Sequence, residues 1–153
     1  MPSVRVSVVI VRDQDVLLIR HRRRGRAYWV VPGGQVQEFE PLDAAAIREI
    51  REETGLAVHL GPLVAAFEIN DRWTRHVLDL VFLAESFTGT LARPSGGPGV
   101  ETLDRAEFVD PAALAALDLR PPELRPLLEQ LVSGARPIPR YLGDLTGAPA
   151  AER

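Results

Sequence analysis

Val4, Val6, Val8 and Ile10 alternate with Arg5 and Ser7, the period-two pattern of a strand with one face in a core. Val9 and Val11 make the far end of that strand apolar on both faces, which predicts burial there. Residues 12–15 read as a turn and residues 16–20 as a returning strand, so a hairpin within a mixed sheet opens the fold. The period then changes. Residues 42–54 predict a helix, with Pro41 suited to its first position and Asp43 near its positive end. Ala44, Ala45 and Ala46 favour the helix, and Gly55 supplies a left-handed cap. Ile47 and Ile50 point away from the acidic face and are expected to bury against a sheet.

Residues 57–60 and 63–70 read as strand, broken by Gly61-Pro62. Residues 70–72 read as a turn and 76–85 as another strand. The Gly/Pro-rich stretch 88–99 is expected to be a mobile loop, and residues 103–109 a late strand. Asp110-Pro111 gives an N-cap and a first-turn proline for a short helix through Leu117. Pro121-Pro122 opens another, whose core stripe is Leu124, Leu127, Leu128 and Leu131 and whose end is Gly134. This order predicts one domain over residues 1–134, followed by a partly flexible extension, 135–153. Within the extension, Ile138, Tyr141, Leu142 and Leu145 could pack on a neighbour.

Composition narrows the classes. The chain has 153 residues, enough for one proper core, with 46% hydrophobic and 25% charged residues, as in ordinary globular domains. A net charge of −3 gives no support for general nucleic-acid binding. With no cysteine there is neither a disulfide nor a thiolate metal site nor a thiol mechanism. No apolar run is long enough for a bilayer and no signal peptide opens the chain, so a cytoplasmic location without a membrane partner is expected. Arginine supplies every basic charge, since lysine is absent.

The chemistry concentrates between residues 34 and 56. Gly34, Glu40, Arg48, Glu49, Glu52, Glu53, Gly55 and Leu56 stand in the pattern G-x5-E-x7-R-E-U-x-E-E-x-G-U, with U a bulky aliphatic residue. Glu49, Glu52 and Glu53 share one helix face, where like charges repel. Arg48 relieves this from one side, at i+4 from Glu52. The remaining charge is best explained by a cation, and an all-oxygen donor set favours Mg²⁺ and then Mn²⁺. A solvated charged helix is the bland reading of E-x-x-E-E alone, but not of the whole pattern.

That pattern, together with Trp29-Val30-Val31-Pro32-Gly33-Gly34, resembles the Nudix hydrolase family over roughly residues 3–132. The resemblance implies an α/β fold, an α/β/α sandwich with a mixed sheet between helices. It implies metal-dependent attack of water on phosphorus in a nucleoside diphosphate linked to another group. Glu52 and Glu53 match the principal metal ligands, the Gly33 carbonyl a backbone ligand, and Glu49 a ligand or base. Arg48 matches the arginine that orients Glu49, and Glu40 a supporting carboxylate. A further catalytic carboxylate from a later loop is assigned to Glu101, with Asp104 and Glu107 as rivals. Within the run of residues 20–26, Arg20 and Arg26 are candidates for the substrate phosphates, and Trp73 for stacking a base. His21, His59 and His76 lack ligand spacing.

Substrate choice is less determined. Where some subfamilies carry a proline or a tyrosine about sixteen residues past the signature, this chain has Arg72 and Trp73. Nucleoside triphosphates, ADP-ribose and nucleotide sugars remain as substrates. Phe39 also departs from the family, many members having glycine there. A non-catalytic nucleotide or ADP-ribose sensing module with the same fold is the alternative, but such proteins usually erode the glutamates. An isoprenoid diphosphate isomerase needs a cysteine that is absent. Dimers are common among such relatives, and the C-terminal segment could serve one.

Overall fold

A computed structural model describes residues 1–71, 75–92 and 103–146. Strand β1 (Ser3–Val9) is the organising element. It pairs antiparallel with β5 (Gly33–Gln35) on one side and parallel with β7 (Arg75–Thr88) on the other. Strand β6 (Ala57–Asp71) follows β7 antiparallel, and β9 (Arg140–Asp144) runs parallel to β6 at the outer edge. The resulting mixed sheet has the order β5-β1-β7-β6-β9. A second, antiparallel sheet forms around β3 (Asp15–Arg23). Strands β2 (Val11–Arg12) and β4 (Arg26–Val30) pair along β3, and β8 (Leu103–Val109) takes its other edge.

Two hydrophobic clusters result from the alternation along these strands. Val6, Val8, Ile10 and Leu17 pack with Ala45, Ala46 and Ile50 of helix α1 (Leu42–Thr54). Val9, Val16, Leu18, Val81 and Leu83 share the other cluster with Leu128 and Leu131 of helix α2 (Arg125–Val132). Strands thus lie between helices, an α/β/α arrangement. Among the described residues, no helix is long and apolar enough to cross a membrane.

Several expectations are corrected. The arginine-rich run is a hairpin and not a loop: β3 continues to Arg23, and β4 restarts at Arg26. Between them Arg24 and Gly25 both have positive φ, 49° and 77°, the geometry of a tight two-residue turn. Gly61-Pro62 does not break β6; the strand shifts register there, and a bulge tolerates a proline that a regular ladder would not. Ile50 is fully buried, but Ile47 remains 36% exposed. Pro41 precedes the helix in an extended conformation instead of occupying its first position. Residues 111–116 form a 3-10 helix, capped by the Asp110 carboxylate, which accepts the Ala112 N–H at 2.9 Å. Residues 140–144 of the extension are a strand of the main sheet.

Candidate active site

Helix α1 packs across one face of the main sheet, against β5, β1 and β6, and the glycine pair sets how closely it approaches β5. Gly34 has no room for a side chain, because a Cβ there would coincide with the Glu49 carboxylate. At Gly33 a Cβ would run into the β1 backbone at Val6 and Ser7. Neither glycine has a left-handed φ, so space and not backbone conformation is what each answers to: backbone at Gly33, the end of the Glu49 side chain at Gly34. Gly55 is different: φ is 76°, and its N–H closes the helix on the Arg51 carbonyl at 2.9 Å.

Arg48 is the hub of the helix's acidic side. Its Nε and Nη2 donate to the two oxygens of Glu40 at 2.7 and 2.8 Å, a bidentate fork. Nη1 donates to Glu49 at 2.8 Å and to Glu52 at 3.3 Å, and Nη2 also reaches the Gln35 carbonyl at 3.1 Å. The Arg48 hydrogen bonds, with the Gln37 N–H, hold the Glu40 carboxyl down at a pKa of about 2. Glu40 in turn, followed by Glu49, raises the affinity of Arg48 for its proton. The i+4 relation of Arg48 and Glu52 read from the sequence is thus present in the structure.

Glu53 turns the other way and accepts the Gly33 N–H at 3.2 Å. The residue is half-buried, and burial lifts its pKa to about 7. The Gly33 hydrogen bond and the charge of Arg5 oppose that rise, whereas Glu49 and Glu52 add to it. The donor set of Glu49, Glu52 and Glu53 suits a hard divalent cation, and a buried carboxyl driven toward its neutral form is one that a cation would keep ionised. The side chains are nonetheless not gathered as a cage: among the described residues, no three acidic or imidazole groups converge enough to hold an ion. Arg48 occupies Glu49 and Glu52 instead.

The remaining candidates scatter. Arg20 lies opposite Trp29 in the β3–β4 ladder, its guanidinium 5.8 Å from the indole. Arg26 is exposed, at the hairpin end of β4 remote from Gly33. Glu107 pairs with Arg105 at 2.8 Å on β8. Glu101 and Trp73 lie outside the described residues, as does Arg72. The histidines take structural contacts: His21 stacks on Tyr28, and His76 meets Glu68 at 3.0 Å.

Sequence reasoning missed Asp79. It is 6% exposed on β7, accepts the Ser7 hydroxyl at 2.8 Å, and faces Arg5 Nε at 3.4 Å. Burial raises its pKa, against Arg5 and Ser7. The signal was available: an acid interrupts the apolar run Val77-Leu78-Asp79-Leu80-Val81.

Phe39, where glycine was the expected residue, is 95% exposed and has φ 62°. A left-handed conformation costs a non-glycine residue about 1–2 kcal/mol, part of which glycine returns by loosening the unfolded chain. Phe39→Gly is therefore expected to stabilise the protein by up to about 1 kcal/mol, read from the urea midpoint. A lower midpoint would mean that the ring makes contacts worth more than the strain.

Comparison with known proteins agrees with this architecture. The model of the NUDIX domain matches residues 1–131. The ADP-ribose pyrophosphatase of Methanocaldococcus jannaschii is 32% identical over 105 residues, covering 67% of this chain and 62% of that protein. Like it, other curated relatives are matched over less than two thirds of their own length. A crystal structure of a MutT NUDIX hydrolase from Burkholderia pseudomallei is 31% identical, with a TM-score of 0.63, over 73% of this chain and 85% of that one. The MutT protein of Bacillus halodurans, at 21% identity and a TM-score of 0.70, covers 92% of this chain and 89% of its own and shows the likeness of fold alone.

Proposed function

We propose that this chain, which belongs to the Nudix hydrolase family, is a metal-dependent pyrophosphohydrolase of nucleoside diphosphates linked to another moiety. A nucleoside triphosphate, ADP-ribose or a nucleotide sugar would satisfy the reading, and the archaeal ADP-ribose pyrophosphatase favours testing ADP-ribose first. One observation carries it: the acidic face of α1 is seated against the glycine pair, with Glu49 over Gly34 and Glu53 on the Gly33 N–H.

Glu52, Glu53 and Glu49, with the Gly33 carbonyl, are the residues that would hold Mg²⁺ or Mn²⁺. When bound, the ion would neutralise phosphate charge and acidify water. Arg48 orients Glu49 through Nη1 and is itself fixed by its fork to Glu40. Glu49, or Glu101 from the later loop, would accept the proton of the attacking water as the P–O anhydride bond opens. The protein supplies no covalent nucleophile in this scheme. Residues 1–134 carry the catalytic site, and the extension 135–153 adds β9 to the main sheet.

The test is phosphate or nucleotide release from a panel of these compounds with Mg²⁺ or Mn²⁺, for wild type and Glu52→Gln. Wild type is expected to turn over at least one compound, and the variant to do so at least about a hundredfold more slowly. Equal release by both would end the proposed mechanism.

A further inference from the structure

Arg5 and Asp79 are not used by the mechanism above, yet they border its site. Strand β1 places Arg5 in register with Gln35 of β5 on one side and with Asp79 of β7 on the other. Ser7, two residues on, stands opposite Gly33, whose N–H holds Glu53. Adjacent strands are about 4.8 Å apart, so Arg5 is a single strand away from β5, which carries the glycine pair. Its charge reaches Glu53, where it works against the effect of burial.

The two arginines beside the site are held in different ways. Arg48 commits its Nε–Nη2 edge to Glu40 at 2.7 and 2.8 Å and its Nη1 to Glu49 at 2.8 Å. Arg5 offers Asp79 only Nε, at 3.4 Å, and its Nη groups make no hydrogen bond to another described residue. The Arg5 side chain is 34% exposed, while that of Asp79 is 9% exposed. A carboxylate so deeply placed needs partners, and Ser7 supplies the short one at 2.8 Å. The arrangement anchors the guanidinium from behind and leaves its terminal nitrogens available.

Resting on the hydrolase reading just given, we infer that Arg5 is a substrate-binding residue, positioned by Asp79 and Ser7 so that its Nη groups take a phosphate oxygen of the diphosphate. Guanidinium is suited to this, because its paired N–H groups match a phosphate edge. Asp79 is a positioning residue in this scheme, since it touches Arg5 and not the substrate. A purely structural ion pair would neutralise Asp79 equally well but would leave substrate affinity alone.

Imidodiphosphate, a non-hydrolysable diphosphate, separates the two by titration calorimetry in Mg²⁺, alongside kinetics with whichever compound wild type turns over. Arg5→Gln is expected to weaken imidodiphosphate binding by about tenfold or more and to raise KM similarly, with a smaller change in kcat. Asp79→Asn is expected to produce a weaker loss of the same kind. Because Arg5→Gln leaves a buried carboxylate without its counter-charge, the double variant Arg5→Gln/Asp79→Asn is measured too, and it should bind as weakly as Arg5→Gln. Binding by Arg5→Gln or the double variant within twofold of wild type would overturn the inference, and so would a wild type that does not bind the probe. Failure of wild type to turn over any compound would instead overturn the hydrolase reading.

Discussion

Glu53→Gln is expected to lower turnover by about 10³-fold or more and, in the same protein, to raise the melting temperature of the metal-free form near and above pH 7. Both effects follow from one half-buried carboxyl. Its folded pKa, about 7, lies above the ordinary 4.5 because burial disfavours the charge. In the unfolded chain the group ionises first as pH rises. Stability is therefore lost between about pH 4.5 and pH 7, by about 3 kcal/mol, and stays low above that range. Glutamine keeps the shape and removes the charge, so the variant should lack this loss. Melting curves from pH 4 to pH 8 in a chelator, with and without the substitution, check the stability effect; rates with Mg²⁺ check the other. A variant as active as wild type would remove Glu53 from the ligand set. One that unfolded would give it a structural role.

The glycine pair should separate fold from activity. At Gly34 the obstacle to a Cβ is the end of a flexible side chain, the Glu49 carboxylate, which can swing aside. Gly34→Ala is thus expected to change stability by no more than about 1 kcal/mol, yet to lower kcat about a hundredfold or more by displacing Glu49. At Gly33 the obstacle is the β1 backbone, which cannot move without disturbing the β1–β5 ladder. Gly33→Ala should therefore destabilise the fold by several kcal/mol. Urea melts beside steady-state kinetics for the two variants make the comparison. An active Gly34→Ala would show that Glu49 tolerates displacement.

The difference between what could and could not be read from the chain is one of range. Helix α1 has its predicted bounds because its signals are local: the alanines, Asp43 and the Gly55 cap all lie within it or next to it. The acidic face and the Arg48–Glu52 relation were legible for the same reason, since helical spacing alone brings them together. Strand β9 was not legible, because Arg140–Asp144 is extended only by virtue of its partner β6. Such pairing has no local signature in a stretch rich in proline and glycine. The β3–β4 hairpin was hidden by its charge: residues 20–26 look like a solvated loop until the ladder is seen. Asp79 needed both its interruption of an apolar run and its register opposite Arg5, and only the first is written in the sequence.

The late position of β9 has a consequence for how the molecule is made. Its five residues complete the far edge of the main sheet, next to β6, which is synthesised 75 residues earlier by the numbering of Ala66 and Tyr141. Throughout that interval on the ribosome, β6 has one flank without its native neighbour. An exposed strand flank is a template for wrong partners. The nascent chain therefore passes through a window in which chaperone protection matters most, and that window closes when residues 140–144 leave the exit tunnel.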